Sequence, residues 1–183
     1  MNKYFLTALL GLSLTALQAK AENVYIPYLG IDGIYNRAKM KQLKPEYFGV
    51  NFNIGTTYNR YFGTEIFYQQ TGHSTKHLFS DEKLKTSYRA YGLDLNGYLP
   101  LSPSFDLTAG IGIATYVLSQ KATHISHSSD EGYGYRFSGG LLYHFNKNCS
   151  LRAVARYVSL DHISNAHHIA EYVLGLRYNF IKE

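Results

Sequence analysis

The sequence predicts an all-β fold, an eight-stranded antiparallel transmembrane up-and-down β-barrel. Three observations predict it. Apolar and polar residues alternate with period two through most of the chain after residue 21. The alternating runs are about 10 to 13 residues long, against five or six for an ordinary globular strand, and a tilted strand crosses a bilayer in nine to eleven. The connections between the runs alternate between short and long, as they do in barrels with tight turns at one end and open loops at the other.

Composition sets the outer bounds. At 183 residues a single domain is the prior. The charged fraction of 17% lies below the roughly 25% of soluble domains, and the 15% of aromatic residues argues against disorder. A mean hydropathy of -0.22 excludes a helical membrane protein, but strands with one polar face average to such a value, so a barrel stays open. The single cysteine, Cys149, excludes a disulfide framework and a multi-thiolate zinc site.

The first segment reads as an address. Lys3 precedes an apolar run, Phe5 to Leu17, broken only by Thr7, Gly11, Ser13 and Thr15. Ala19-Lys20-Ala21 then supplies an A-x-A cleavage site. Residues 1–21 are expected to be a secretory signal peptide cleaved near Ala21, leaving 22–183 as the barrel domain of an envelope protein. No cysteine stands at the cleavage site, so no lipid anchor is expected. No later run approaches the length of a transmembrane helix.

The strands follow in order. Tyr25–Arg37 alternates weakly. In 48–55, Phe48, Val50, Phe52 and Ile54 share a face opposite Gly49, Asn51, Asn53 and Gly55. Tyr61–Thr71 is again weak. Leu93 and Leu95 oppose Gly92, Asp94 and Asn96. Phe105, Leu107, Ala109, Ile111 and Ile113 oppose Asp106, Thr108, Gly110 and Gly112. Phe137, Leu141, Tyr143 and Phe145 oppose Arg136, Ser138, Gly140 and His144. Leu151, Ala153, Ala155 and Tyr157 oppose Arg152, Val154 and Arg156. Tyr172, Leu174, Leu176, Tyr178 and Phe180 oppose Glu171, Val173, Gly175, Arg177 and Asn179. Short connections fall near Asn59-Arg60, Pro100–Ser104 and Asn146–Asn148. Longer ones span 37–46, 72–87, 119–132 and 159–168. An even strand number puts both termini in the periplasm.

The faces carry inverted chemistry. The apolar face is large and aromatic; the other holds Gly, Asn, Ser and charges. Asp32, Glu65, Asp94, Asp106 and Glu171 share the inward parity with Arg136, Arg152, Arg156 and Arg177. Unpaired charges are costly inside a narrow barrel, so ion pairs are expected there. Eight strands leave an interior that side chains can fill, which argues for a plugged barrel and against a solute channel. Tyr58, Tyr61, Phe62, Tyr98, Phe105, Tyr143, Phe145, Tyr178 and Phe180 lie near strand ends, where amphipathic rings form interfacial girdles.

Two resemblances sharpen the reading. Gly175-Leu176-Arg177-Tyr178-Asn179-Phe180 resembles the C-terminal signal by which the outer-membrane barrel assembly machinery recognises its substrates; Ile181-Lys182-Glu183 after the last aromatic is a departure. Leu151–Tyr157 resembles the penultimate strand of opacity-type surface-antigen barrels. The resemblance implies a Gram-negative outer-membrane location and, as partners, outer-membrane lipid, lipopolysaccharide, the assembly machinery and a host surface molecule met through the loops. The implied function is a non-enzymatic surface antigen with an envelope-structural or adhesive role. Nucleic acid is not an expected partner, no further module is expected after the last strand, and no cofactor is expected.

The alternative is an enzyme. His162-Ile163-Ser164-Asn165-Ala166 resembles the H-x-S-N-A motif of outer-membrane lipid A 3-O-deacylases. The resemblance implies Ser164 as nucleophile, His162 as general base, Glu171 as the acid that orients the imidazole and Asn165 as an oxyanion donor. A serine hydroxyl needs such a base, and the base needs a fixed tautomer. That family turns its catalytic side chains to lipid, whereas parity counted from the flanking strands turns His162, Ser164 and Glu171 inward; a bulge would change the facing.

Two loop features remain. Seven of the eight histidines (His73, His77, His124, His127, His162, His167 and His168) fall in the long connections. They come from three different loops, and no metal site is expected. Arg37, Lys39, Lys41 and Lys44 in the first loop, with Lys76, Lys83 and Lys85 in the second, would form a basic crown that attracts lipopolysaccharide phosphates.

Overall fold

The computed structural model describes residues 25–40, 46–72, 74–77, 83–122, 125–161 and 166–181. The strands are β1 (Ile26–Met40), β2 (Glu46–Thr57), β3 (Phe62–Thr71), β4 (Ser74–His77), β5 (Lys83–Ser102), β6 (Phe105–Ala122), β7 (Ile125–His144), β8 (Cys149–Asp161) and β9 (Ala166–Asn179). Every pair of chain neighbours except β3 and β4 is antiparallel and hydrogen-bonded. Two further pairings shut the ring: β1 with β9, and β3 with β5. β3 and β4 both lie along β5 and are two pieces of one stave, so nine strands make a closed eight-stranded barrel.

Period two translates directly into facing. Phe48, Val50, Phe52 and Ile54 are exposed on the outside of β2, Phe48 at 74%, while Asn51 and Asn53 beneath them are buried. The outside therefore shows a continuous belt of Leu, Ile, Val, Phe and Tyr, and the inside buries Asp, Glu, Asn, Gln and Arg. This is the reverse of a water-soluble barrel, and it is stable only where the outside meets lipid. Among the described residues no helix is long and apolar enough to cross a membrane; the crossing is made by strands.

Two of the three short turns share one device. Asn59 Oδ1 accepts from the backbone N–H of Tyr61 and Phe62 at 2.7 and 3.0 Å. Asn146 Oδ1 does the same for Asn148 and Cys149 at 2.9 and 2.7 Å. An Asn side chain thus stands in for a backbone acceptor and closes the hairpin. The aromatic belt at this end comprises Tyr25, Tyr58 and Phe62, the trio Phe105–Tyr143–Phe145, and the pair Tyr178–Phe180. Tyr98 departs from the expected girdle: it is buried in the lumen, because it shares parity with Asp94 and Asn96.

The long connections also depart from expectation. β5, β6 and β7 run for 20, 18 and 20 residues and take in much of 72–87 and 119–132, read from sequence as loops. Alternation fades there because both faces of the ribbon lie beyond the apolar belt, while backbone pairing continues without it. β4 to β7 therefore project past the barrel rim as one sheet. Among the described residues β8 first meets β7 at Tyr133 opposite Asp161, and 125–132 of β7 lie beyond that point along β6.

One irregularity was invisible in the sequence. Lys39 lies opposite His168, but Met40 lies opposite Ala166, so His167 is an extra residue in β9. Such a bulge re-phases β9 between His168 and Ala166.

Candidate functional site

The chemistry of the described chain is concentrated in the lumen, and it is layered along the barrel axis. Nearest the short turns, His144 bridges Asp106 (Nε2 to Oδ2, 2.9 Å) and Ser150 (Nδ1 to Oγ, 2.8 Å). Asp106 was expected to answer an arginine; its partner is this histidine on the neighbouring stave.

Above that pair lies Arg177. It stacks over the Tyr28 ring at 3.6 Å and donates to Asn179 Oδ1, the Tyr98 hydroxyl and Thr57 Oγ1 at 2.8, 3.0 and 2.6 Å. Among the described residues no carboxylate comes within ion-pair distance of it, so it too departs from the expected matching of acids with guanidinium groups.

The next layer is built on Arg152. Its Nε donates to Asp32 Oδ1 at 2.7 Å, and its Nη2 meets Asp32 Oδ2 as well. Its Nη1 donates to Glu65 Oε2 at 2.7 Å. Asn51 and Asn53 donate to Asp32, and Tyr28 donates to Glu65. The geometry depends on a glycine. Gly175 of β9 lies directly opposite Arg152 of β8 and Asp32 of β1, so the ion pair passes over it from stave to stave. A Cβ on Gly175 would overlap the Asp32 carboxylate. The same row recurs across β5, β6 and β7: Asp94, Gly112 and Arg136 stand opposite one another, with Asp94 and Arg136 3.2 Å apart over the glycine.

Arg136 lies flat over Phe67 at 3.4 Å. Arg156 reaches Glu171 at 2.8 Å and lies 4.0 Å from Asp94. Gln69 and Tyr88 donate to the other Glu171 oxygen at 2.9 and 3.1 Å. Carboxylates buried at low dielectric are tolerable only with such pairing, and here each ladder acid has at least one guanidinium partner.

Beyond the ladder, toward the long loops, the lumen is closed by an apolar plug of Tyr47, Phe67, Tyr88, Ala90, Ala114, Tyr116, Leu118, Val158 and Ile169. Tyr88 meets Tyr47 edge-on and tilts against Tyr116, with ring centroids 5.5 and 5.9 Å apart. The sequence reading missed these inward aromatics, although the signal was present: Tyr28, Tyr47, Phe67 and Tyr88 share parity with Asp32, Asn51, Glu65 and Asp94. A gap of about 20 Å3 remains among the ladder residues, room for about one water. At the short-turn end the lumen widens into a vestibule of about 700 Å3, lined among others by Arg60, Asp106, His144, Lys147 and Arg177.

The residues singled out from sequence are distributed as follows. His162, Ser164 and Asn165 lie outside the described residues, as do Lys41 and Lys44. Glu171 is buried within the lumen, its two oxygens held by Arg156, Gln69 and Tyr88. Arg37 is exposed at the long-loop end of β1 and pairs with Glu46 of β2 at 3.0 Å. Lys39 stands opposite His168, whose ring stacks on Tyr157. Among the described residues no group of three or more His, Cys, Asp or Glu side chains is placed to share a metal ion.

Solved structures with this architecture are outer-membrane barrels. Neisserial surface protein A aligns with a TM-score of 0.71 at 15% identity, over 84% of this chain and 97% of that one. The attachment invasion locus protein Ail of Yersinia pestis, in complex with the heparin analogue sucrose octasulfate, gives 0.63 at 16% identity, over 85% and 99%. OprG of Pseudomonas aeruginosa gives 0.61 at 13% identity, over 85% and 96%. At these identities the likeness establishes the fold alone. No curated protein matches the sequence significantly. The sequence profile of the family described as Outer membrane protein beta-barrel domain matches residues 5–180. With its lipid-facing belt and ion-paired lumen, the chain belongs to the outer membrane protein beta-barrel domain family and resides in the bacterial outer membrane.

Proposed function

We propose that this barrel is a non-conducting surface protein with an adhesive or envelope-stabilising role, exerted through the sheet that projects beyond its outer rim. The observation that carries the reading is the contrast between the two halves of the molecule. The lumen is filled by an ion-pair ladder and an aromatic plug, whereas β5, β6 and β7 run for 18 to 20 residues and carry a sheet past the rim, beyond the last described pairing of β7 with β8 at Tyr133 and Asp161. A chain shaped for transport would spend its polar side chains on a path; this one spends them on closing it. A sheet that stands beyond the rim, by contrast, offers its surface to another chain.

The crown of Arg37, Lys39, Lys41 and Lys44 supports lipopolysaccharide or another polyanion as a contact at that rim, with Glu46 already engaging part of Arg37. The polyanion carried by Ail is of the same chemical kind. The signal peptide over 1–21 and delivery by the assembly machinery belong to this proposal.

The deacylase reading is the alternative. It needs Glu171 to orient His162, and Glu171 already serves Arg156, Gln69 and Tyr88. The test is expression of the full chain in a Gram-negative host, with lipid A examined by mass spectrometry and adhesion scored in parallel. Unchanged lipid A together with adhesion that is lost when the projecting sheet is shortened is the expected result. Loss of an ester-linked acyl chain that Ser164→Ala prevents would overturn it in favour of the hydrolase.

A further inference from the structure

We propose that the vestibule at the short-turn, periplasmic end is a binding site for a phosphate group. Three observations converge on it. The first is space: about 700 Å3 opens there, below an ion-pair ladder among whose residues the gap is about 20 Å3. The second is the wall. Its charged residues are Arg60, Lys147 and Arg177, with Asp106 already bridged to His144. Arg60 comes from the β2–β3 turn and Lys147 from the β7–β8 turn, so two short turns each bring a basic residue to the wall of one mouth.

The third is the state of Arg177. It is 7% exposed and is the lumen arginine that has no carboxylate within ion-pair distance among the described residues. A guanidinium carries five N–H groups. Among the described residues three hydrogen bonds hold Arg177, one each from Nε, Nη1 and Nη2, to neutral acceptors. Those bonds leave a second N–H on each of Nη1 and Nη2, and Arg177 lines the vestibule. Stacking on Tyr28 holds its plane. A rigid guanidinium with spare paired donors is suited to an oxyanion.

Phosphate fits better than a carboxylate because its charge and its oxygens can be shared between the buried guanidinium and the two rim cations. The phosphate can belong to an inner-leaflet lipid headgroup, since the turns lie at the membrane edge, or to a soluble periplasmic molecule. The chemistry at Arg177 is the same.

The test uses the full mature barrel folded in a phosphate-free, uncharged detergent. Inorganic phosphate and pyrophosphate are titrated as soluble probes, and dihexanoyl phosphatidylglycerol as the lipid probe, each followed by 31P NMR. Saturable binding of either source is expected, weakened about tenfold or more in Arg177→Gln. Arg177 also holds Tyr98, Thr57 and Asn179, so that variant is checked for heat-modifiable migration. Arg60→Gln/Lys147→Gln changes only exposed side chains and is expected to weaken binding as well. Which probe saturates identifies the source. Failure of all three probes to saturate, or binding by the double variant equal to that of the unmodified chain, would overturn the proposal.

Discussion

Arg152 is the side chain on which the lumen most depends. Among the described residues it is the cation within ion-pair distance of both Asp32 and Glu65, which are almost fully buried. Arg152→Met removes that direct partner from two carboxylates, and such losses cost about 3–5 kcal/mol. Urea unfolding in lipid vesicles is expected to show that loss, and the further changes Asp32→Asn and Glu65→Gln are expected to restore much of it. Gly175→Ala is expected to destabilise by about 1–3 kcal/mol by pushing a methyl group into the Asp32 carboxylate, measured in the same way. Parity put Arg152, Asp32 and Glu65 on one face but could not pair them. It reports the side of the sheet, whereas strand tilt and stagger decide which residues share a height in the barrel. Hence Arg177 and Asp106, on the correct face, have neutral or imidazole partners instead of each other.

At the scale of elements, the β6–β7 hairpin behaves as two structures in one. Its inner part is clamped on both sides, whereas residues 125–132 of β7 lie along β6 beyond the described pairing with β8. Amides of 125–132 are therefore expected to exchange with solvent faster than those of 134–142, by hydrogen exchange in detergent. Removing residues 119–130 is expected to leave insertion and heat-modifiable migration intact, because the ladder and the apolar plug are anchored mainly below that level. The sequence disclosed the inner half of each strand and not the outer half. Period two needs one apolar face, and beyond the belt there is none. It likewise disclosed the Asn-based short turns, whose chemistry is local, and not the His167 bulge, which exists only relative to β1.

For the molecule as a whole, closure and filling set the transport behaviour. Reconstituted into planar bilayers, the barrel is expected to show no steady conductance steps, and vesicles carrying it are expected to swell in small sugars no faster than empty ones. Stepwise openings would contradict the filled lumen. The class was legible because it rests on averages over many residues: run length, loop asymmetry and inverted faces. The lumen's inner aromatics escaped because rings at strand ends were all assigned to girdles, and Tyr98 shows that the same residue type serves both places. The seam where β1 meets β9 carries a consequence in time. Arg152 and Asp32 stand 120 residues apart and Gln69 and Glu171 stand 102 apart, so their contacts form only when the last strand arrives. A nascent chain short of β9 can form the Asp94–Arg136 row on β5 to β7, but Asp32 and Arg152 then stand on staves that nothing joins. Closing the wall and pairing these buried charges are thus one event, the docking of the final stave.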